Sequence, residues 1–333
     1  SRMKKWKKAL RIILCALLAL ILALTAALFL SSRHRSNPAD VKTYDTTNPL
    51  IMARTDVSAH RSGAGIAPEE TMMAFRYCVE QEGFEIDVFE FDLHITKDDV
   101  LVLLHDDTLD RTSDSAKVFG ETDVRPENKT YEELRQLNMG AQFVNDAGEA
   151  PYKDLTEVPD DLRILRVEDV LDYLDANGDF RYIIEIKNSG DLGKKGVDIL
   201  YGLLEERNLL DRVSFGTFHE EISAYVDEAY PGLRRSTSIK EVLRFWLAAL
   251  TNSKSYEPPC SVLQIPFCEP YLNYGVNLGT ATVINYAHAH DMAVQYWTIN
   301  DPEDMAYLLS MGADCIMTDY PDVLYRVMHG EAE

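Results

Sequence analysis

The sequence predicts an α/β protein, a (β/α)8 TIM barrel preceded by one N-terminal transmembrane helix. Three observations carry this reading. From about residue 57 onward, eight short β-type runs alternate with amphipathic helical stretches. The acids, bases and cations with chemical potential stand at the ends of those runs, where such a barrel keeps its chemistry. Ahead of them, residues 12–30 form a run of 19 residues without a charge.

Composition sets the outer limits. The chain has 333 residues, 46% hydrophobic and 26% charged, which is ordinary globular usage and excludes wholesale disorder, collagen-like repeats and a small disulfide scaffold. The net charge is −22 but unevenly placed: residues 1–35 hold eight Lys/Arg and no acid, which leaves −30 on the other 298. A body that acidic does not grip nucleic acid by counterion release, nor anionic headgroups through its general surface. An anionic substrate therefore needs local cations or a metal at its site.

As a helix, residues 12–30 span about 28 Å, close to the roughly 30 Å hydrocarbon core. Only Cys15 and Thr25 soften the run. Lys4, Lys5, Lys7, Lys8 and Arg11 precede it, so residues 1–11 read as a cytoplasmic basic terminus. The body then lies outside the cell membrane, held by a single-pass signal anchor. A cleaved signal peptide is the alternative, but the run exceeds the usual apolar stretch of about 7–15 residues. Residues 31–56, rich in Ser, Asn, Thr and Pro, read as a linker. Among five cysteines there is no C-x-x-C pair. Cys260 and Cys268 flank a strand-like run, about 26 Å apart when extended and beyond disulfide reach, so free, mostly buried thiols are expected.

The body, residues 57–333, is read element by element. The β-type runs are 57–60, 85–95, 181–187, 212–218, 233–239, 261–267, 293–299 and 314–318. Helical stretches fall at 68–82, 196–207, 220–230, 240–250, 280–291 and 302–311. Pro68 suits the first turn of its helix, and Glu69 and Glu70 suit its dipole. Between 104 and 167 only one helix is clear, opened by the capping box Thr130…Glu133, so an insertion is expected at about 106–166.

The strand ends carry the polar residues. The first run ends in His60 and Arg61, the second carries Glu90, Asp92 and His94, and a short run after it ends in His105 and Asp106. Glu185 and Lys187, then Phe218 and His219, Gln264, Trp297 and Asn300, and Asp319 follow on later runs. Residues two apart on a strand share a face, so Glu90 pairs with Asp92 and Glu185 with Lys187. Inward carboxylates in a barrel demand compensation. One E-x-D pair alone reads better as an outward salt bridge; both motifs together at strand ends reverse that and favour a hard divalent cation, Mg²⁺ or Ca²⁺. His60 and His105 flank that cluster, and with Arg61 and Lys187 they suit phosphoryl chemistry: one histidine takes a proton, the other gives one, and the cations hold phosphate charge.

Six strings in the body, AHRSGAGIAPEET (59–71), FEFDLHITKDD (89–99), LLHDDTLDRT (103–112), IIEIK (183–187), YWTIN (296–300) and GADCIMTDYP (312–321), resemble the glycerophosphodiester phosphodiesterase family. The resemblance implies metal-dependent hydrolysis of glycerophosphodiesters to glycerol 3-phosphate and an alcohol, through attack of the glycerol 2-hydroxyl and a cyclic phosphate. It makes His60 and His105 the acid/base pair, Arg61 and Lys187 the phosphate holders, and Trp297 a pocket wall. Glu90, Asp92 and Glu185 bind the metal, with Glu69 supporting Arg61 or the metal shell. Two residues depart from the family pattern. Ser62 stands where Gly is usual and alters a loop; Glu70 stands where Asn is usual and places a negative charge near the mouth.

Among the remaining polar residues, His94 shares the face of Glu90 and Asp92, although its place in the family pattern varies. His219 borders the mouth, Asp319 is read as the cap of the last helix, and His288, His290 and His329 as surface residues. Two alternatives stay open: a phospholipase-type enzyme on lipid headgroups or an envelope glycerophosphate polymer, and an inactive binding barrel. A decayed member would lack a histidine or a metal carboxylate, and here all are present.

Overall fold

The computed structural model describes residues 2–331; Ser1 and the last two residues assigned to the body lie outside it. Eight strands make one sheet: β1 (Asp56–Ala59), β2 (Val88–Ile95), β3 (Leu101–Leu103), β4 (Arg181–Ile186), β5 (Val213–Gly216), β6 (Val262–Pro266), β7 (Ala293–Trp297) and β8 (Cys315–Thr318). Seven run parallel in the order β5-β4-β2-β1-β8-β7-β6, while β3 folds back antiparallel on β2 with Leu103 opposite Leu93.

The run 233–239, expected as a full strand, supplies only a seam. Arg235 bridges to Phe215 and Ser236 to Val262, both in parallel sense, and this closes the barrel between β5 and β6. The reason is local. Arg235 is buried and its guanidinium holds both Asp227 (2.6 and 2.7 Å) and Glu241 (2.8 and 2.9 Å). Three residues later Ser238 is committed to a capping box with Glu241 that starts the next helix.

The helices are α1 (Arg2–Arg33), α2 (Met72–Glu80), α3 (Ser115–Phe119), α4 (Tyr131–Leu134), α5 (Val167–Asn177), α6 (Gly190–Glu206), α7 (Glu220–Ala229), α8 (Ile239–Thr251), α9 (Ala281–Ala289), α10 (Pro302–Ser310) and α11 (Pro321–Met328). α2 begins later than the sequence suggests. Thr71 caps it by accepting from the Ala74 N–H, and Glu70 sits at φ 56°, outside helical space. Pro68, Glu69 and Glu70 therefore belong to the loop at the barrel mouth rather than to the first turn.

Each residue of β2 is buried, because the barrel interior covers one face and helices the other. Phe75 of α2 packs on Phe89 and Phe91 of β2, with ring centroids 5.5 and 5.9 Å apart. Fully burying such a side chain stabilises the fold by about 1.5–3 kcal/mol. The insertion has its own small core of Leu104, Leu109, Leu134, Leu137 and Ile164, and its capping box at Thr130 forms as expected.

α1 is long and apolar enough over residues 5–30 to cross a membrane, and its apolar side chains there face outward from the protein. The segment after it straps onto the barrel. Arg35 pairs with Asp304 at 2.5 Å, the Asn285 side chain spans Lys42 N (2.7 Å) and Asp40 O (2.8 Å), and Asn48 donates to Ser261 O and Asp291 O. All five cysteines are free thiols, with Cys78 and Cys315 buried and Cys260 and Cys268 half-buried.

Candidate active site

β1 delivers the chain into a tight turn at the barrel mouth. Arg61, Ser62 and Gly63 all take positive φ, at 46°, 61° and 92°. Two of these are not glycine, so other contacts hold the strain. The Arg61 N–H donates to Glu90 Oε2 at 2.8 Å, and the Glu70 N–H donates to Arg61 O at 3.1 Å and to Ser62 Oγ at 3.0 Å. The two departures from the family pattern thus meet in one hydrogen bond. Glu70 does not present a charge to the mouth. It is buried beneath it, accepts the Asp92 N–H at 2.6 Å, and is pushed well above the usual carboxyl range by burial and by Asp92.

His60 follows directly from β1. Its Nδ1 lies 2.7 Å from Asp319 Oδ1, and its Nε2 lies 3.3 Å from Thr298 Oγ1 and 3.8 Å from Glu90 Oε2. Burial works against its positive charge, but Glu90 and Asp319 outweigh burial, and its pKa is raised. Asp319 accepts a second bond from Asn300 Nδ2 at 2.7 Å. It does not cap α11; the N-cap position is Tyr320, without a side-chain cap bond.

His105 comes from the turn after β3. Its Nδ1 lies 2.8 Å from Asp106, which Arg111 also grips at 2.7 and 2.9 Å. Arg111 reaches on to both oxygens of Glu69, at 2.9 and 2.7 Å, and Glu69 stands 3.5 Å from Arg61. Burial lowers the His105 pKa, with Lys187 and Arg61 acting the same way against Asp92.

Asp92 is the centre of the cluster. It is fully buried, and neither carboxylate oxygen has a hydrogen-bond partner. Lys187 Nζ stands 3.5 Å from it and Arg61 Nε 3.9 Å. Burial opposes its charge, yet Lys187, His105 and Arg61 hold it ionised below the usual range. Glu90 and Glu185 are pushed up, first by burial and then by Asp92. Lys187 also bonds Glu185 Oε1 at 3.1 Å. Among the described residues no three His, Cys, Asp or Glu side chains are already grouped as a metal shell. The donors nevertheless suit a hard cation: Glu90, Asp92 and Glu185 line one cavity, the Asp92 oxygens are orphaned, and the acids repel one another.

That cavity has a volume of about 720 Å³ and also holds His60, His105, Phe218 and Trp297 in its wall. A second, more polar cavity of about 370 Å³ lies against Glu69, Arg111, Gln142 and Asn300. Arg61 borders both. Trp297 meets Phe218 edge-on at 5.9 Å.

Other sequence candidates fall elsewhere. His219 turns its Nε2 to Lys187 O at 2.9 Å and so backs the lysine instead of lining the cavity. His94 is fully buried outside the cavity wall, its pKa lowered by burial. His288 is no surface residue: its Nε2 bonds Asp314 at 2.8 Å, and only 11% of its side chain is exposed. The sequence reading missed the roles of Asp319, Arg111 and Thr298. Asp319 carried a usable signal, since it directly follows β8 as His60 directly follows β1.

Fold and site together define a (β/α)8-barrel enzyme working at the C-terminal mouth of its strands. A sequence profile of the glycerophosphoryl diester phosphodiesterase family matches residues 60–323, and the chain belongs to that family of phosphodiester hydrolases. It is 27% identical over 273 residues to a glycerophosphodiester phosphodiesterase of Bacillus altitudinis, covering 82% of this chain and 98% of the relative. It is 29% identical over 279 residues to the enzyme of that name from Caldanaerobacter subterraneus subsp. tengcongensis, covering 83% and 98%. Among solved structures, the barrel resembles the glycerophosphoryl diester phosphodiesterase domain of a Mycobacterium tuberculosis protein, with TM-score 0.66, 19% identity and coverage of 83% and 100%. It also resembles an Oleispira antarctica phosphodiesterase solved with the product sn-glycerol-3-phosphate, with TM-score 0.63, 20% identity and coverage of 83% and 97%.

Proposed function

We propose that the chain hydrolyses glycerophosphodiesters to a glycerol 3-phosphate and an alcohol, with His60 and His105 as the acid/base pair. The observation that carries this reading is the placement of both histidines on one cavity, with Arg61 and the carboxylates of Glu90, Asp92 and Glu185 in the same wall, and Lys187 within 3.5 Å of Asp92 and 3.1 Å of Glu185. Arg61 and Lys187 hold the phosphate. Bound at Glu90, Asp92 and Glu185, Ca²⁺ or Mg²⁺ would offset the carboxylate charge, polarise a phosphate oxygen and acidify the glycerol 2-hydroxyl.

The surroundings distinguish the two histidines. Among the described residues the Asp319 carboxylate hydrogen-bonds His60 and neutral Asn300, and its charge supports a protonated His60. Burial, with Lys187 and Arg61, lowers the His105 pKa, and the Asp106 that would oppose this is shared with Arg111, so His105 is the group able to accept. His105 then takes the proton of the 2-hydroxyl as it attacks phosphorus, and His60 protonates the departing alcohol. Water opens the resulting cyclic phosphate with the roles exchanged.

The test is turnover of several glycerophosphodiesters by the full chain with Ca²⁺, Mg²⁺ or EDTA. His60→Ala and His105→Ala are each expected to lose about 10²–10⁴-fold in kcat. The double variant should lose far less than the product of the two, because the pair works as a unit. Full activity in EDTA contradicts the metal assignment, and full activity of either single variant contradicts the acid/base assignment.

A further inference from the structure

The large cavity has two unlike walls. One carries the histidines and carboxylates. The other is hydrocarbon: Val242, Leu243 and Trp246 of α8 with Leu272, Val276 and Leu278 of the loop after β6. A small glycerophosphodiester has no use for that second wall. The apolar surface continues outward. Ile239, Leu243, Leu247 and Leu250 are all exposed, spaced along one side of α8, and Tyr271, Leu272 and Tyr274 stand beside them, Tyr271 at 97% exposure. An apolar rim of this kind marks an interaction surface.

Its position says what it meets. Arg33, the last residue of α1, donates to the Tyr274 carbonyl at 3.2 Å, and its guanidinium packs against Gly275. The rim therefore lies where the apolar helix leaves its span. Arg61 divides the site, with the hydrocarbon-walled cavity on one side and the polar cavity of Glu69, Arg111 and Gln142 on the other. A phosphate at Arg61 sends one arm into each.

We propose that the substrate is a glycerophosphodiester carrying one acyl chain on its glycerol, drawn from the bilayer that α1 spans, with the chain against the α8 wall and the polar alcohol in the cavity of Arg111. This deepens the function proposed above and rests on it. The acylated glycerol shares a cavity with the histidines and carboxylates, as attack by its 2-hydroxyl requires. That hydroxyl must be free, so a two-chain lipid is excluded and a one-chain lipid admitted. The balance is that of the simple diester: the P–O bond to the alcohol breaks, the alcohol oxygen gains a proton, and water supplies the new P–O bond. The products are a monoacyl glycerol phosphate and the free alcohol.

The experiment uses the full chain in nanodiscs and compares 1-palmitoyl-glycerophosphocholine, unacylated glycerophosphocholine and a dipalmitoyl lipid by choline release. Each buried methylene is worth about fourfold in affinity, so the monoacyl substrate should exceed the unacylated one in kcat/KM by about tenfold or more. The dipalmitoyl lipid should not turn over. Leu243→Asp should collapse the ratio of the first two, chiefly through KM. Equal or better turnover of the unacylated diester overturns this inference while leaving the proposed function intact. If no diester is hydrolysed, the proposed function fails, and binding still decides the chain site. There 1-palmitoyl-glycerol 3-phosphate should bind about tenfold or more tighter than glycerol 3-phosphate, a gap that Leu243→Asp removes. Equal binding of the two overturns the chain site itself.

Discussion

His60 and His105 carry the same imidazole, and their neighbours set them apart. Asp319 and Glu90 hold the His60 proton on, whereas burial, Lys187 and Arg61 keep His105 free of one. As the acid, His60 must be protonated, so activity should fall as pH rises through its raised pKa. Asp319→Asn removes one source of that rise, and the basic limb of the kcat profile should move to lower pH with a loss of about 10²-fold or more. An unmoved limb would make Asp319 merely structural. Glu185 gives a stability linkage of the same sign. Glu185 sits at about 8 against its ordinary 4.5, so the folded, metal-free protein keeps a proton that the unfolded chain releases. In EDTA, melting temperature should therefore fall as pH rises from about 4.5 to about 8. Glu185→Gln should flatten that fall, and a divalent cation at a hundredfold excess over Kd should restore about 2.7 kcal/mol to the parent at pH 8. Identical pH curves for parent and variant in EDTA would remove Glu185 from the cluster. The sequence exposed His60, Arg61, Glu90, Asp92 and Glu185 because strand ends and i,i+2 spacing are local. It hid Arg111, whose distant partner Glu69, 42 residues away, meets it only once the chain folds.

Between elements, the weak point of the barrel is the seam at 235–236. Most staves were legible as short β-type runs, since each is a short stretch rich in apolar residues flanked by turns. The run LRRSTSI has β-type composition too, yet its backbone makes only single bridges to β5 and β6. What fixes it is an ion network that no local pattern shows. Asp227 lies on α7 and Glu241 on α8, and both clamp a guanidinium that is only 4% exposed. Breaking a buried pair by removing one partner typically costs about 3–5 kcal/mol; Asp227 is half-exposed here, so Arg235→Ala should cost about 3 kcal/mol in urea unfolding. A change within about 0.5 kcal/mol, the usual range for a surface site, would show that the seam is held by packing alone. The start of α2 was misjudged for a related reason. Pro68, Glu69 and Glu70 satisfy the rules for a helix start, but Glu70 is drawn into positive φ by its bonds to Ser62 and Asp92.

At the scale of the whole molecule, the chain divides into a basic, apolar end and an acidic barrel, with −30 on the residues after 35. The arrangement suits a tethered enzyme whose site reverses a repulsive field locally through Arg61 and Lys187. On the reading that α1 spans the membrane with its cations inside, protease added to intact cells should degrade the barrel, and full protection would contradict that orientation. Recovery of a soluble form lacking α1 would instead favour a cleaved signal. The centre of the proposed mechanism is the glycerol 2-hydroxyl as the attacking group between two histidines. Phosphorus NMR of a glycerophosphodiester and its 2-deoxy analogue, each incubated with the full chain and Ca²⁺ or Mg²⁺, tests it directly. The parent should pass through a cyclic phosphate to glycerol 3-phosphate, while the 2-deoxy analogue binds and stays intact. Hydrolysis of the analogue at a rate close to the parent would mean that water attacks phosphorus directly and would contradict the account.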